Sequence, residues 1–167
     1  MIQTDITEHL PTGFAPQSKV WIYQASRMFL IGEALQLEPM LQNFLSQWNS
    51  HGEPVKGFAN LFFGQFLIFI ADETQTHVGG CSTDTSVQLV KQIQQKFSVE
   101  MLNRQILAFI VKDKIETLPL AQLNYALDNH FITENTLYFN NTVLTLEELK
   151  NRWIIPLKES WLATKLK

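Results

Sequence analysis

The sequence predicts an α+β fold of the ferredoxin-like type, with the element order β-α-β-β-α-β. Four segments rich in β-branched and aromatic residues alternate with two segments in which apolar residues recur every three or four positions. Such an order is typical of a split β-α-β sandwich, whose two helices cover one face of a four-stranded antiparallel sheet. Another α+β arrangement of the same elements is the alternative.

The chain length and composition favour a single domain over residues 1–167. Of 167 residues, 46% are hydrophobic, which is enough to form a core. Residues 1–18 show no period and predict an irregular lead-in, residues 19–112 the α/β sandwich core, and residues 113–167 a C-terminal helix and hairpin extension.

The first strand and helix follow the lead-in. Lys19–Ala25 predicts a strand because it is rich in β-branched and aromatic residues. The helix is predicted with Pro39 in the first turn of its main part, and His51-Gly52 ends it. Its apolar face has a helical spacing: Leu37, Leu41, Phe44, Leu45 and Trp48.

Two strands, a helix and a fourth strand complete the predicted core. Val55–Phe63 and Phe66–Asp72 predict a hairpin with a type II′ turn at Gly64-Gln65, and the second of these strands is apolar enough to be central. Asp84–Ser98 predicts the second helix, and Arg104–Val111 the last strand.

The last third of the chain predicts a short helix, a hairpin and a final helix. Leu118-Pro119 opens the short helix, and Asn140-Asn141 is the expected hairpin turn. Thr145 and Glu148 form a capping-box pattern for a helix that runs to about Trp153. Ile106–Val111 is apolar on both faces but would be an edge strand, so either these C-terminal elements or a second subunit covers it, and a homodimer is a possible assembly.

Charge and composition argue against several classes of function. The net charge is −3 and no basic run occurs, so we predict no nucleic-acid binding. The longest apolar runs have six residues, against about 20 for a membrane span, so no membrane partner is predicted. No secretory signal is visible at the N-terminus and there is one cysteine, which together predict a cytoplasmic location.

Cofactor and metal motifs are not found in the sequence. Gly57–Gly64 has the wrong spacing for a phosphate-binding loop and lacks its lysine, and no GxGxxG occurs, so we predict no nucleotide cofactor. His77 and Cys81 with Asp84 offer too few converging ligands for zinc, so no metal site is predicted.

The candidate chemistry centres on Gly79-Gly80-Cys81-Ser82-Thr83-Asp84. This segment joins the predicted central strand to the start of a helix, where free N–H groups can lower the pKa of a thiol. Cys81 is the candidate nucleophile, with His51 or His77 as base. Burial of Cys81 as a small apolar residue is the alternative. The candidate ligand-binding residues are Gly80, Cys81, Ser82, Asp84, Arg27 and Arg104, the two arginines as possible carboxylate clamps.

The chain resembles a family of small uncharacterised proteins from Bacteroidetes that are often labelled "ABC transporter ATPase". The resemblance spans about Val20 to Trp161 and rests on several short motifs. They are Val20–Gln24 with Arg27, FLSQW with His51-Gly52, Gly80-Cys81-Ser82 with Asp84, Ser86 and Val87, Phe139-Asn140-Asn141 with Val143, and Trp153-x-x-Pro156 with Ser160-Trp161. The resemblance implies a cytoplasmic bacterial protein. The Walker and signature motifs that the label implies are missing, so we predict no ATPase activity.

Two functions are expected from these residues. The first is a non-catalytic module that binds a small ligand or a protein partner, since no catalytic set is apparent. The second is a thiol-dependent enzyme in which Cys81 acts at a helix N-terminus.

Overall fold

The structure, a computed structural model, describes residues 1–74 and 80–166, with the backbone alone for residues 80–82. It combines helices with antiparallel sheets, which confirms the α+β prediction. The chain divides into two compact units. The larger unit comprises Pro11–Asn103 and Leu144–Glu147, and the smaller unit comprises Met1–Leu10, Arg104–Val143 and Glu148–Lys167. That the whole chain is one domain stays a prediction.

The larger unit is built on a three-stranded antiparallel sheet. Its elements in chain order are β1 (Lys19–Gln24), α1 (Ile31–Gln47), β2 (Asn49–Ser50), β3 (Glu53–Pro54), β4 (Lys56–Phe62), β5 (Phe66–Asp72) and α2 (Gly80–Phe97). The strand order is β1-β5-β4, so the strand that comes last in the chain lies in the middle. Every residue of β5 is buried, as its apolar sequence predicts for a central strand.

Both helices of the larger unit pack on the same face of this sheet. Alternate residues of β5 point to one face, and Leu67 and Phe69 lie there in one apolar cluster with side chains of α1 and α2. Trp48, which follows α1, is buried in this cluster with Phe44 and Phe69 around it, at ring-centroid distances of 5.1 and 6.4 Å. The predicted core role of Trp48 is confirmed.

Helix α1 starts earlier and ends earlier than the sequence predicts. It begins at Ile31, which places Pro39 inside the helix instead of in its first turn. It ends at Gln47, and His51 and Gly52 form the turn between β2 and β3, with φ values of 52° and 82°. The prediction that His51-Gly52 ends the helix is wrong, because two residues with positive φ favour a tight hairpin turn as well as a helix end.

The turn between β4 and β5 also differs from its prediction. Its central residues are Phe63 and Gly64, with φ values of 54° and 67°, and the Gln65 N–H donates to the Phe62 carbonyl at 3.0 Å. Positive φ at both central residues is typical of a type I′ turn and not of the predicted type II′ turn at Gly64-Gln65.

The remaining strands form a four-stranded sheet of their own. The remaining elements in chain order are β6 (Ile106–Val111), β7 (Lys114–Pro119), α3 (Leu123–Asp128), β8 (Leu137–Phe139), α4 (Leu146–Arg152) and β9 (Ile154–Pro156). The strand order is β7-β6-β8-β9. The ferredoxin-like arrangement is therefore not confirmed: the predicted fourth strand, β6, pairs with β7 and β8 instead of joining the sheet of the larger unit. The sequence left open whether the C-terminal elements or a second subunit covers β6. The structure shows two of the C-terminal strands, β7 and β8, paired with it.

The Asn140-Asn141 segment forms a hydrogen-bonded corner and not the predicted hairpin. After β8 the chain leads to α4 without a second strand in residues 142–144. The side-chain amide of Asn140 donates to the Arg152 carbonyl at 3.1 Å, and the Asn141 side-chain oxygen accepts from the Trp153 indole at 2.9 Å. These two motif residues thus hold the end of α4 against the end of β8.

Within the described ranges, 1–74 and 80–166, the helices are all too short or too polar to cross a membrane.

Candidate functional site

Four large apolar side chains are exposed around the start of helix α1. The exposed fractions are 53% for Met28, 67% for Leu30, 82% for Ile31 and 67% for Leu35. We call these four residues the α1 patch. A single exposed leucine is ordinary, but neighbouring large apolar side chains on one surface are typical of interaction sites.

A bidentate ion pair fixes the backbone that presents the α1 patch. The two guanidinium nitrogens of Arg27 lie 2.8 and 3.0 Å from the two carboxylate oxygens of Glu33, and Arg27 also donates to the Phe97 carbonyl at 2.7 Å. Glu33 accepts from the Leu30 N–H at 2.8 Å, which satisfies a free donor at the start of α1. This ion pair, which we call the Arg27–Glu33 clamp, therefore joins the beginning of α1 to the end of α2.

The same contacts set the charge state of the clamp. Hydrogen bonds from Arg27 and then from the Leu30 N–H lower the pKa of Glu33 to about 2. The hydrogen bond to Glu33 raises the pKa of Arg27. Both groups stay charged at neutral pH, so the ion pair between them persists there.

A groove of about 370 Å³ lies beside the patch, between α1 and β4. Leu37 and Leu41 form its buried floor, and Ile31 and Leu35 of the patch line its wall. Its other lining residues are Ala34, Glu38, Asn60, Leu61 and Gly64. The groove is mostly apolar, with Glu38 as its single charged lining residue among those described.

Met28 closes one side of this surface against the β4–β5 turn. A Cβ atom added at Gly64 would lie 2.9 Å from the Met28 Cγ, so the methionine packs directly on the glycine. Gly64 also needs its positive φ of 67° for the turn. The absence of a side chain at Gly64 thus makes room for Met28.

The two predicted arginine candidates differ in their surroundings. The Arg27 side chain is 41% exposed, but its guanidinium group already binds Glu33 and donates to two backbone carbonyls. Its hydrogen-bond donors are therefore used within the chain. Arg104 is exposed in the turn before β6. The structure does not bring these two arginines into one unit.

The candidates for thiol chemistry fall largely outside the described side chains. The backbone of Gly80, Cys81 and Ser82 forms the first turn of α2, and their side chains are not described; His77 lies outside the described residues. His51 is exposed at the β2–β3 turn, and Asp84 is exposed in α2. The thiol hypothesis therefore stays a prediction.

A second cavity, of about 220 Å³, lies in the smaller unit beside α3. Its rim is polar and exposed, with Asp128, His130, Glu134 and Lys165 among its lining residues. Opposite charges meet there, so the cavity favours no one class of ligand. Among the described residues, no His, Cys, Asp or Glu side chains cluster in threes to hold a metal ion.

Sequence reasoning missed the α1 patch, although a signal for it exists. Met28 to Ile31 form an unbroken apolar run, and Leu35 falls off the helical face that Leu37 and Leu41 define. Apolar residues that lie off the buried face of an amphipathic helix are candidates for a surface that binds something.

Comparison with family models, with curated proteins and with solved structures finds no match to this chain.

Proposed function

We propose that the chain is a non-catalytic interaction module that binds a helical segment of a protein through the α1 patch. The observation that carries the proposal is the exposure of Leu30, Ile31 and Leu35 on a helix start that the Arg27–Glu33 clamp holds rigid. A rigid surface loses little conformational entropy on binding. Exposed apolar side chains on it gain free energy when a partner removes them from water.

The shape of the surface favours a protein over a small molecule. A small ligand that fills the groove between α1 and β4 would contact Leu37 and Leu41 on its floor. It would leave Leu30 in water, because that side chain is 67% exposed and does not line the groove. A partner helix of about 10 Å diameter covers both the groove and the protruding side chains.

The setting of this interaction is part of the proposal. The single cysteine and the family resemblance support a bacterial cytoplasmic protein.

A paired substitution tests the proposed function. Leu35→Glu places a charge in the patch, whereas Gln36→Glu places the same charge one residue away on the exposed surface of α1. Each variant and the wild type are coupled to a resin and incubated with a lysate of the organism that encodes the chain, and recovered proteins are quantified by mass spectrometry. We expect the Leu35→Glu protein to recover at least tenfold less of the partner protein than the wild type does.

The control variant separates loss of binding from loss of folding. Circular dichroism and thermal unfolding should be close to wild type for both variants, because both positions are exposed. The proposed function is wrong if Leu35→Glu and Gln36→Glu proteins recover the same partners in the same amounts.

A further inference from the structure

We infer that Met28 is a site of reversible oxidation that controls the α1 patch. A peroxide converts its thioether to a sulfoxide, and the sulfoxide weakens binding at the patch. The inference rests on the proposed function and adds a means of regulating it. The supporting observations are the exposure of the Met28 side chain, the contacts that hold it beside the groove and the apolar character of its neighbours.

The exposure of the thioether sets how fast a peroxide reaches it. The Met28 residue is 53% exposed, whereas Met101 is 3% exposed and Met40 is half-buried against the apolar cluster of the larger unit. Oxidation of methionine follows the access of the oxidant to the sulfur atom. Of these three methionines, Met28 is therefore the one that a peroxide oxidises first.

Hydrogen bonds on both sides of Met28 hold it against the turn between β4 and β5. The Arg27 guanidinium donates to the Met28 carbonyl at 3.2 Å, and the Phe29 N–H donates to the Gly64 carbonyl at 2.8 Å. A Cβ atom added at Gly64 would lie 3.5 Å from the Met28 Sδ. Because Gly64 lines the groove between α1 and β4, a change at this sulfur takes place at the edge of the groove.

The chemical step needs only a peroxide as co-reactant. A lone pair of the Met28 Sδ attacks one peroxide oxygen, the O–O bond breaks and an S–O bond forms. The sulfur loses two electrons, and hydrogen peroxide is reduced to water. A thiol-dependent methionine sulfoxide reductase reverses the step, since two thiols become a disulfide and the oxygen leaves as water.

The sulfoxide changes the α1 patch from apolar to mixed. Its oxygen is a hydrogen-bond acceptor, and the other three side chains of the patch, Leu30, Ile31 and Leu35, carry no donor. An apolar partner surface that covers the patch removes this oxygen from water and leaves it unpaired, which costs free energy. Binding at the patch is therefore tight with the thioether and weak with the sulfoxide.

Peptide mass spectrometry after treatment with hydrogen peroxide tests the site of oxidation. The full chain carries Cys81→Ser, so that its thiol does not consume the oxidant. In the folded protein we expect Met28 to be oxidised about tenfold faster than Met101, and in urea the two rates should be equal. Oxidation of Met28 no faster than that of Met101 in the folded protein would overturn the inference.

Capture from a lysate tests the effect on the patch. Peroxide is removed with catalase before the protein is coupled to the resin, and the proteins that Leu35→Glu fails to recover are quantified. We expect oxidation to lower their recovery about five- to tenfold, as for one buried unpaired acceptor, and methionine sulfoxide reductase with dithiothreitol to restore it.

Two methionine variants show which sulfur is responsible. Each variant is compared with itself before and after peroxide treatment. Capture by Met28→Leu should not change on treatment, because leucine has no sulfur, whereas capture by Met40→Leu should fall as it does for the parent chain. An equal fall in both variants would place the sensitive group elsewhere and refute the inference.

The outcomes separate this inference from the proposed function. Capture that depends on Leu35 but not on oxidation of Met28 would refute the inference and keep the interaction module. Capture that does not depend on Leu35 would refute the proposed function, and control of the patch by Met28 with it. Loss of capture together with loss of the circular dichroism signal would show that oxidation unfolds the chain, and would refute the inference alone.

Discussion

Asp72 is a buried carboxylate that ties two separate segments of backbone to the end of β5. Its oxygens accept from the Thr74 N–H at 2.9 Å and from the Ala15 N–H at 3.0 Å, and the Lys56 ammonium lies 3.6 Å away. These hydrogen bonds, that from Thr74 first, lower the pKa of Asp72 to about 2 despite its burial. The irregular lead-in before β1 is therefore held by a charge.

The charge of Asp72 should make stability depend on pH in acid. Since the folded-state pKa lies below the ordinary value of 3.8, its stabilising contribution is complete well above pH 3.8 and is lost as the pH falls toward 2. We expect Asp72→Asn to lower the free energy of unfolding at neutral pH by about 1–3 kcal/mol, because a charged acceptor of backbone N–H groups is lost. Urea unfolding at about pH 3 and pH 7 measures this effect, since at pH 3 the Asp72 carboxyl is largely protonated in the unfolded chain but still charged in the folded protein, so a large part of its contribution is already lost.

A matched control for Asp72→Asn is Glu116→Gln, on an exposed position of β7. It should leave both unfolding curves within about 0.5 kcal/mol of wild type. An Asp72→Asn protein that keeps the wild-type difference between acid and neutral stability would show that the carboxylate is not the group that titrates.

The Arg27–Glu33 clamp shows how far single residues could be predicted. The sequence marks Arg27 as a possible carboxylate clamp, and the carboxylate it holds belongs to the chain itself. A sequence gives the chemistry of a guanidinium but not its nearest carboxylate, since that depends on how the chain between positions 27 and 33 turns into a helix.

At the scale of elements, α1 and β4 approach so closely at Gly57 that no side chain fits. A Cβ atom added there would lie 2.6 and 2.8 Å from two ring atoms of Trp48. Trp48 is fully buried with Phe44 and Phe69 against it, so its ring has little room to move.

Two glycine-to-alanine substitutions should therefore have opposite effects. Gly57→Ala should destabilise the protein by about 1–3 kcal/mol through overpacking against Trp48. Gly32→Ala, on the exposed face of α1 with open space around it, should leave stability unchanged or raise it by up to about 1 kcal/mol. Thermal unfolding of the two variants measures the difference, and equal midpoints would contradict the close approach at Gly57.

The elements also show why part of the fold was predictable. The apolar face of α1 and the central position of β5 are predicted correctly, because burial on one face leaves a period in the sequence and burial on both faces leaves a continuous apolar run. β7 was missed: Lys114 and Glu116 are exposed, and an edge strand that is half in water carries a weak apolar pattern. The partners of β6 could not be predicted either, since strand pairing depends on contacts far apart in the chain.

At the scale of the whole molecule, neither unit is one continuous stretch of chain. Leu144–Glu147 belongs to the larger unit, where the Val20 N–H donates to the Leu144 carbonyl at 3.0 Å and the Leu146 N–H donates to the Ser18 carbonyl at 2.9 Å. This distant segment thus pairs along β1, on the side away from β5.

A fragment of residues 11–103 should consequently be less stable than the same fragment with that segment restored. We expect a loss of about 1–3 kcal/mol, from about 0.5–1.5 kcal/mol for each backbone hydrogen bond. The comparison fragment carries residues 142–149 on a flexible glycine-serine linker, and urea unfolding followed by circular dichroism measures both. Equal stability of the two fragments would contradict a role for Leu144–Glu147 in the larger unit.

The discontinuity of the two units has a consequence for synthesis on the ribosome. The Ile2 N–H bonds to the Asp113 carboxylate, 111 residues further along the chain. At bacterial and eukaryotic elongation rates this interval lasts on the order of 5–20 s. Residues 1–10 are therefore synthesised well before the rest of their unit, by which time most of the larger unit has left the ribosome. Strand β1 lacks its hydrogen bonds to Leu144 for longer still. We expect these segments to be exposed to chaperones during synthesis until the residues that pair with them have been made.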